Sequence, residues 1–324
     1  MGDQGALALV QKYAKPLYNI LKITGPFLLS QSKTAVENYS DFKLNKARLE
    51  AISILLQEEA KKIVEDRSKL REIITNTTGL QRVRAQNDYN LLTKELNKLS
   101  TVDRVKDFIG DNELIENDKE IEDSWIDKFN QLASSLNEEW RKKLLANAFA
   151  LELKKTGSVN FIMLNCIASF DEKTFRMFGF LINASIRMYE VNIFPSDDGK
   201  REFDINGEKH TLNQIIYRLS HLNLLNTSSE GYIDLSNQGE KETYLRYGRR
   251  VLKMRYPGLT IPPAHLIGMN YFTSLGNDIA KLYARDINAL GNEYFDVFLR
   301  EAKNKRYICS EIELPEELYE ELGN

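Results

Sequence analysis

Between Gln31 and Phe194 the chain contains no proline. Proline has no amide hydrogen to donate and its ring collides with the preceding helical turn, so helix interiors exclude it. A stretch this long without it, in a charged and leucine-rich sequence, predicts long uninterrupted helices. The whole chain of 324 residues has seven prolines, against about 16 expected from average usage. Five of the seven, Pro195, Pro257, Pro262, Pro263 and Pro315, follow the proline-free stretch and punctuate a module of different grammar. Hydrophobic residues at 42% suffice for real cores, and 28% charged residues argue against a membrane-embedded protein. Collagen, disulfide scaffolds, β-sandwiches and disordered chains are excluded on the same grounds. A formal net charge of -3 leaves no global field to draw the chain onto nucleic acid or anionic lipid.

The apolar spacing refines this expectation. Ala47, Ala51, Ile52, Leu55, Leu56, Ala60, Ile63, Leu70, Ile73 and Ile74 recur at threes and fours, predicting one long amphipathic helix over 44–74. The run Thr75–Gly79 ends it, with Gly79 expected as its C-terminal cap. A polar helix over Leu80–Leu99 follows, then a cap at Ser100 or Thr101 for a shorter one. Eight acids against the single Lys119 between Asp111 and Asp127 mark a solvated joint. The calcium-loop glycine and terminal glutamate are not there. Helices carrying Trp125, Phe129 and Leu132, then Trp140, Leu144, Leu145, Ala148 and Leu151, come next. A Gly157-Ser158 break, a helix from Phe161 and a phenylalanine-striped helix over Phe175–Met188 complete this part.

Beyond Tyr189, Glu190–Phe194 and Arg201–Ile205 read as strands joined by a hairpin around Asp198-Gly199. Thr211 caps a helix with Leu212, Ile215, Ile216, Leu219 and Leu222 on one side. A strand at Gly231–Leu235 and the sequence Tyr271–Gly276 before another helix complete the local order of a winged helix-turn-helix. The expected fold is therefore mainly α, in three parts: a long-helix region over 1–110, a central helical domain over 111–190, and a winged-helix-like α/β module over 191–324 ending in an exposed acidic tail.

Catalytic signatures are missing: no phosphate-cradling GxxxxGK[ST], no GxGxxG after a strand, no GxSxG elbow. His210, His221 and His265 lack metal-binding spacing, and Cys166 and Cys309 stand far apart, so neither a metal nor a cofactor is expected. Cys166, in an apolar run, is expected as a buried free thiol. No reaction is supported, and catalytic residues are not assigned. One constellation has a physical mechanism. Lys241, Arg246, Arg249, Arg250, Lys253 and Arg255 stand with Glu242 as their only acid, interleaved with Tyr244, Tyr247 and Tyr256. Cations neutralise phosphates while tyrosines stack on bases, so Lys241, Arg246, Tyr247, Arg249, Arg250, Lys253 and Arg255 form a candidate nucleic-acid surface. The competing expectation is that they pair with the acids at 111–127 or 311–321. Residues 5–30 form an amphipathic stripe divided by Pro16 and Pro26, suited either to a membrane surface or to the protein's own core. The N-terminus lacks a signal-peptide pattern, so a cytoplasmic location is expected.

The segment Asn137–Ala146, with its Trp140-led "W-x-x-L-L-A" helix, Gly157-Ser158, Leu164 and the turn Ser169–Phe175, resembles a bacterial helical domain family of unassigned function. That family is akin to the abortive-infection alpha proteins. Arg84–Asn87 upstream and Leu275-Gly276 downstream fit its layout, and the likeness runs over roughly residues 40–290. The resemblance implies a bacterial protein encoded near phage-defence systems and supplies no catalytic residue. The expected function is accordingly a non-enzymatic, cytoplasmic defence protein that senses or binds a partner and self-associates through the helix at 44–74. The alternatives are a winged-helix DNA-binding regulator using 241–256, and a membrane-active effector using residues 5–30.

Overall fold

The computed structural model describes residues 15–24, 44–115, 119–196, 200–226, 231–232, 242–258, 260 and 262–322. They are mostly helical, with an antiparallel sheet in the C-terminal half. The chain divides into two compact units, Met1–Ala168 and Ser169–Asn324. The boundary falls inside the 111–190 stretch expected as one domain.

Unit 1 is helical. Helix α1 (Lys15–Thr24) opens with Pro16 in its first turn, where a missing N–H breaks no helical bond. Strand β1 (Leu44–Asn45) pairs with β2 (Leu114–Ile115). Helix α2 (Lys46–Asn76) starts where the Arg48 N–H donates to the Asn45 side chain at 3.0 Å. Its 31 residues span about 46 Å. Helix α3 (Gly79–Asp103) turns back along it. The cross-helix bonds Arg67 Nη2 to Tyr89 Oη (2.8 Å) and Ser53 to Asp103 fix an antiparallel register. Gly79, expected as the cap of α2, instead begins α3 at φ +64°, with Thr77 capping α2. The expected break at Ser100 or Thr101 is also absent: both side chains are accommodated within α3, Thr101 Oγ1 donating back to the Asn97 carbonyl, and the helix runs into a 3-10 turn over Arg104–Phe108.

Helices α4 (Asp123–Ser135), α5 (Glu139–Lys154) and α6 (Phe161–Ser169) close the unit. Trp125, Phe129 and Phe149 form its aromatic centre, with ring centroids 5.0–5.9 Å apart. The Trp125 indole donates to the Val159 carbonyl at 2.7 Å, so its polar edge is buried with a partner. The 157–158 break is held from within α5. The Glu152 carboxylate, 2% exposed, accepts from the Gly157 N–H (2.6 Å) and the Val159 N–H (2.9 Å). Burial raises its pKa, opposed by those backbone bonds.

Unit 2 packs helices on a sheet. Helix α7 (Glu172–Ala184) is capped by Asp171, which accepts from the Thr174 N–H at 2.7 Å. It stops before Ser185, so the helix expected over Phe175–Met188 is corrected. Ile186–Met188 is strand β3, turning at Tyr189 (φ 55°) into β4 (Val191–Pro195). The hairpin expected between β4 and β5 (Glu202–Ile205) does not form either. β5 pairs with β6 (Glu208–Thr211) through Asn206-Gly207, both at positive φ, a combination that matches the right-handed twist of paired strands. Helix α8 (Leu212–His221) follows on a Thr211/Gln214 capping box.

The described strands β7 (Gly231–Tyr232), β8 (Glu242–Tyr247), β9 (Arg250–Arg255), β10 (Gly268–Tyr271) and β11 (Ile308–Glu313) join β3 and β4 in the order β11-β9-β8-β3-β4-β10-β7. Helices α9 (Ser274–Ala280), α10 (Ala289–Asn304) and α11 (Glu316–Leu322) complete the unit. Phe178, Phe194, Phe272, Phe295 and Phe298 are fully buried. Two glycines permit close approaches there. A Cβ on Gly276 would lie 2.0 Å from the Leu224 carbonyl oxygen, and one on Gly291 would lie 2.0 Å from the Tyr247 ring. The acidic C-terminal segment, expected as an exposed tail, is strand β11 followed by α11. Its side chains are largely exposed, but its backbone is paired along β9 from Ile308↔Arg255 to Glu313↔Arg250. Its acids lie along a strand bearing three of the chain's clustered cations.

Candidate functional site

The 241–256 constellation is the β8–β9 hairpin. Gly248, at φ 56°, and Arg249 make its two-residue turn, and the strands pair from Glu242↔Arg255 to Tyr247↔Arg250. Side chains alternate across a sheet, so the hairpin divides its own charges between two faces. Thr243, Leu245, Tyr247, Leu252 and Met254 enter the core. Tyr247, read from sequence as a stacking residue, is a core residue 2% exposed. Its hydroxyl donates to the Asn183 carbonyl (2.7 Å) and accepts from the Asn288 N–H (2.8 Å). Burial raises its pKa.

Three of the candidate cations have acidic partners. The Arg250 guanidinium lies 4.2 Å from the Phe295 ring centroid and donates to Glu311 (2.7 Å) and Asp296 (2.8 Å). Arg249 donates to the Leu314 carbonyl (3.0 Å) and stands 3.5 Å from Glu313. Lys253 pairs with Glu242 at 2.8 Å beneath the Tyr244 ring, and the hydrogen bond to Glu242 holds its ammonium above its ordinary pKa. Arg255 is exposed at the strand end opposite Glu242. Lys241 lies outside the described residues. Glu311 and Glu313, in the acidic segment offered by the sequence as an alternative partner, take up two of these charges; the stretch at 111–127 belongs to unit 1.

Arg246 behaves differently. It sits on the opposite sheet face from Tyr247, directly across from Arg187 of β3. Burial lowers its pKa. The pattern of the sequence marked Arg246 but gave no signal for Arg187, or for Arg285 beyond α9, because each is isolated along the chain.

Elsewhere, Cys166 is a buried free thiol whose pKa burial pushes up to about 11. Among the described residues no group of three or more His, Cys, Asp or Glu is placed to hold a metal ion. None of the described helices is long and apolar enough to cross a membrane. Within the 5–30 stripe, Ile20 and Ile23 are buried and the Asn19 side chain accepts from the Ile121 N–H at 3.1 Å, so this part of the stripe belongs to unit 1's core. Residues 5–14 and 25–30 lie outside the described residues. Comparison with protein-family models, with curated proteins and with solved structures finds no match to this chain.

Proposed function

We propose that this chain is a non-enzymatic binding protein of the abortive-infection type, a phage-defence component that self-associates through the α2–α3 hairpin. The observation that carries this is an apolar surface left outside the fold. No residue from Val64 to Arg84 is buried, yet Val64, Ile73, Leu80 and Val83 are exposed there, with Leu91 beyond. The register set by Arg67–Tyr89 brings Val64 level with Leu91 and Ile73 level with Val83 along the hairpin. Apolar side chains left exposed on several sides of the free half of the hairpin favour a covering partner. A second copy suits it, because the hairpin carries acids and bases together, including Glu65, Asp66, Arg67, Lys69, Arg71 and Glu72, and two copies can oppose unlike charges. Light scattering on the full chain tests this. The protein at micromolar concentration is expected to be dimeric or larger, and Val64→Glu with Leu91→Glu to be monomeric. A strictly monomeric parent protein defeats the proposal.

A second reading, a winged-helix regulator, draws on unit 2. Strands β4, β10 and β7 are antiparallel neighbours, with α8 leading into β7; the β8–β9 hairpin is inserted between β7 and β10 in sequence but lies beyond β3 and β4 in the sheet. Asn213, Gln214, Tyr217 and His221 form the exposed side of α8, residue types suited to base edges. Against it, Arg249, Arg250 and Lys253 are already neutralised within the unit. Mobility shift at two salt concentrations, with Tyr217→Ala and with Arg249→Glu/Arg250→Glu, separates the two surfaces. No shift at low salt removes this reading. A membrane role for residues 5–30 draws no support from α1, whose apolar residues Ile20 and Ile23 are buried.

A further inference from the structure

On one face of the unit 2 sheet, Arg187 and Arg246 stand as direct cross-strand neighbours, an arrangement of like charges that destabilises a sheet unless something offsets it. Arg285 approaches the same region from the segment after α9. It is held along one edge only: Nε donates to the Ile182 carbonyl (3.0 Å), and Nη2 to the Ser185 carbonyl (2.5 Å) and Asn192 Oδ1 (3.0 Å). That edge is rigid, because Ser185 and Asn192 are buried and Asn192 is itself fixed by Asn277, 2.8 Å away. The remaining nitrogen, Nη1, makes no hydrogen bond within the described protein. Among the described residues Arg187 makes none, and its Nε is buried without an acceptor. Neither arginine has a carboxylate partner among the described residues; Glu190, in the β3–β4 turn, attracts Arg187 without pairing with it.

These groups border a cavity of about 230 Å³. Asn192 and Ile182 back it, Tyr283 and Leu322 wall it, and Lys281, paired with Asp278 at 2.8 Å, stands exposed beside Arg187 and Arg285 in its lining. Burial, then repulsion from Arg187, pushes the Arg285 pKa down to about 10, leaving it charged at neutral pH but in a site that disfavours its charge. Burial and then Arg246 do the same to Arg187. A buried donor without an acceptor and cations without counter-charges are features a folded protein rarely leaves unmatched.

We propose that this cavity is a binding site for a small phosphate-type anion, received by the free edges of Arg187 and Arg285 with Lys281 at its rim. Guanidinium forks match the oxygens of phosphate and carboxylate alike. A tetrahedral dianion, however, can accept from two forks in different planes and cancel two charges, whereas a carboxylate satisfies one. The volume lies below the roughly 300–1,000 Å³ of sites that enclose drug-sized ligands, which favours a single phosphoryl group. The site is independent of the hairpin in unit 1, so either proposal can fail alone.

Titrating the full chain with inorganic phosphate at constant ionic strength, followed by calorimetry and thermal melting, tests it. Phosphate is expected to bind saturably and raise the melting temperature, and acetate to do so far less. Arg187→Gln is expected to weaken phosphate binding about ten- to hundredfold. Without phosphate, Arg187→Gln should melt no lower than the parent, because it removes a repelled cation. Lys281→Gln, a change at an exposed position that leaves the fold intact, should weaken binding only about threefold. The proposal is overturned if phosphate does no more than sodium chloride of equal ionic strength, if acetate matches phosphate, or if both variants bind phosphate undiminished.

Discussion

The two units place their unmatched groups in opposite locations. Unit 1 encloses its aromatic centre around Trp125 and leaves apolar side chains outside, along the far half of the α2–α3 hairpin. Unit 2 encloses its phenylalanine core and leaves cations inside, where Arg187 and Arg285 repel each other. An exposed apolar surface is relieved by another surface, and a buried surplus of positive charge by an anion. On the two proposals made above, the contrast separates a unit that meets a macromolecule from one that holds something small.

The sharpest way to break the comparison is to damage each core and see what survives. Trp125→Ala removes the indole, its stacking on Phe129 and its bond to Val159, and is expected to lower stability by about 3–5 kcal/mol. Amide exchange in α4 and α5 reads the loss; unchanged protection there would mean the aromatic centre is not what holds unit 1. Gly291→Val drives a side chain into Tyr247 and should destabilise unit 2 by about 1–3 kcal/mol, seen as a lower denaturant midpoint.

Acid acts with opposite signs on one carboxylate in each unit. The Glu152 pKa is raised in the folded state by burial, so the native state holds its proton more tightly than the unfolded chain. Its contribution is largest at low pH and falls as pH rises from 4.5 through the folded value. At Asp171 burial is outweighed by bonds from Thr174 and Arg218, which depress its pKa; its contribution is present above 3.8 and lost as pH falls through the folded value. Melting curves of Glu152→Gln and Asp171→Asn against the parent, taken from acid to neutral pH, should therefore diverge in opposite directions; parallel curves contradict the assignment. The smallest effect on stability belongs to the hairpin. Ile73→Ser with Val83→Ser should change stability by no more than about 0.5 kcal/mol while diminishing self-association in sedimentation. A large loss of stability would show that these residues serve unit 1's own fold.

Much of unit 1 was legible because its signals are local. The periodicity that includes Leu56 and Ile63, the Trp125 face and the stop at Gly157 each act within a few residues. Gly79 is ambiguous locally, because glycine at positive φ can begin a helix as well as end one. In unit 2, Asn206-Gly207 competes with Asp198-Gly199 for the same strand, and the two-residue turn prevails. The fate of the basic residues was not legible locally. Arg250 meets Glu311 from 61 positions away, so acids and bases that neutralise each other look from the sequence like two exposed runs. Arg187 and Arg285 likewise approach each other only when β3 and the segment after α9 are brought together.

The sheet order also sets a timetable. β9 is synthesised well before β11, so as the nascent chain grows the outer edge of β9 has its open backbone groups and its arginines but no strand beside it. Open edges recruit other chains, and positive charge draws the polyanions that crowd a ribosome. When β11 docks it closes that edge and brings Glu311 and Glu313 to Arg250 and Arg249 in the same movement. In the folded sheet one strand thus both closes the edge of β9 and supplies its counter-charges.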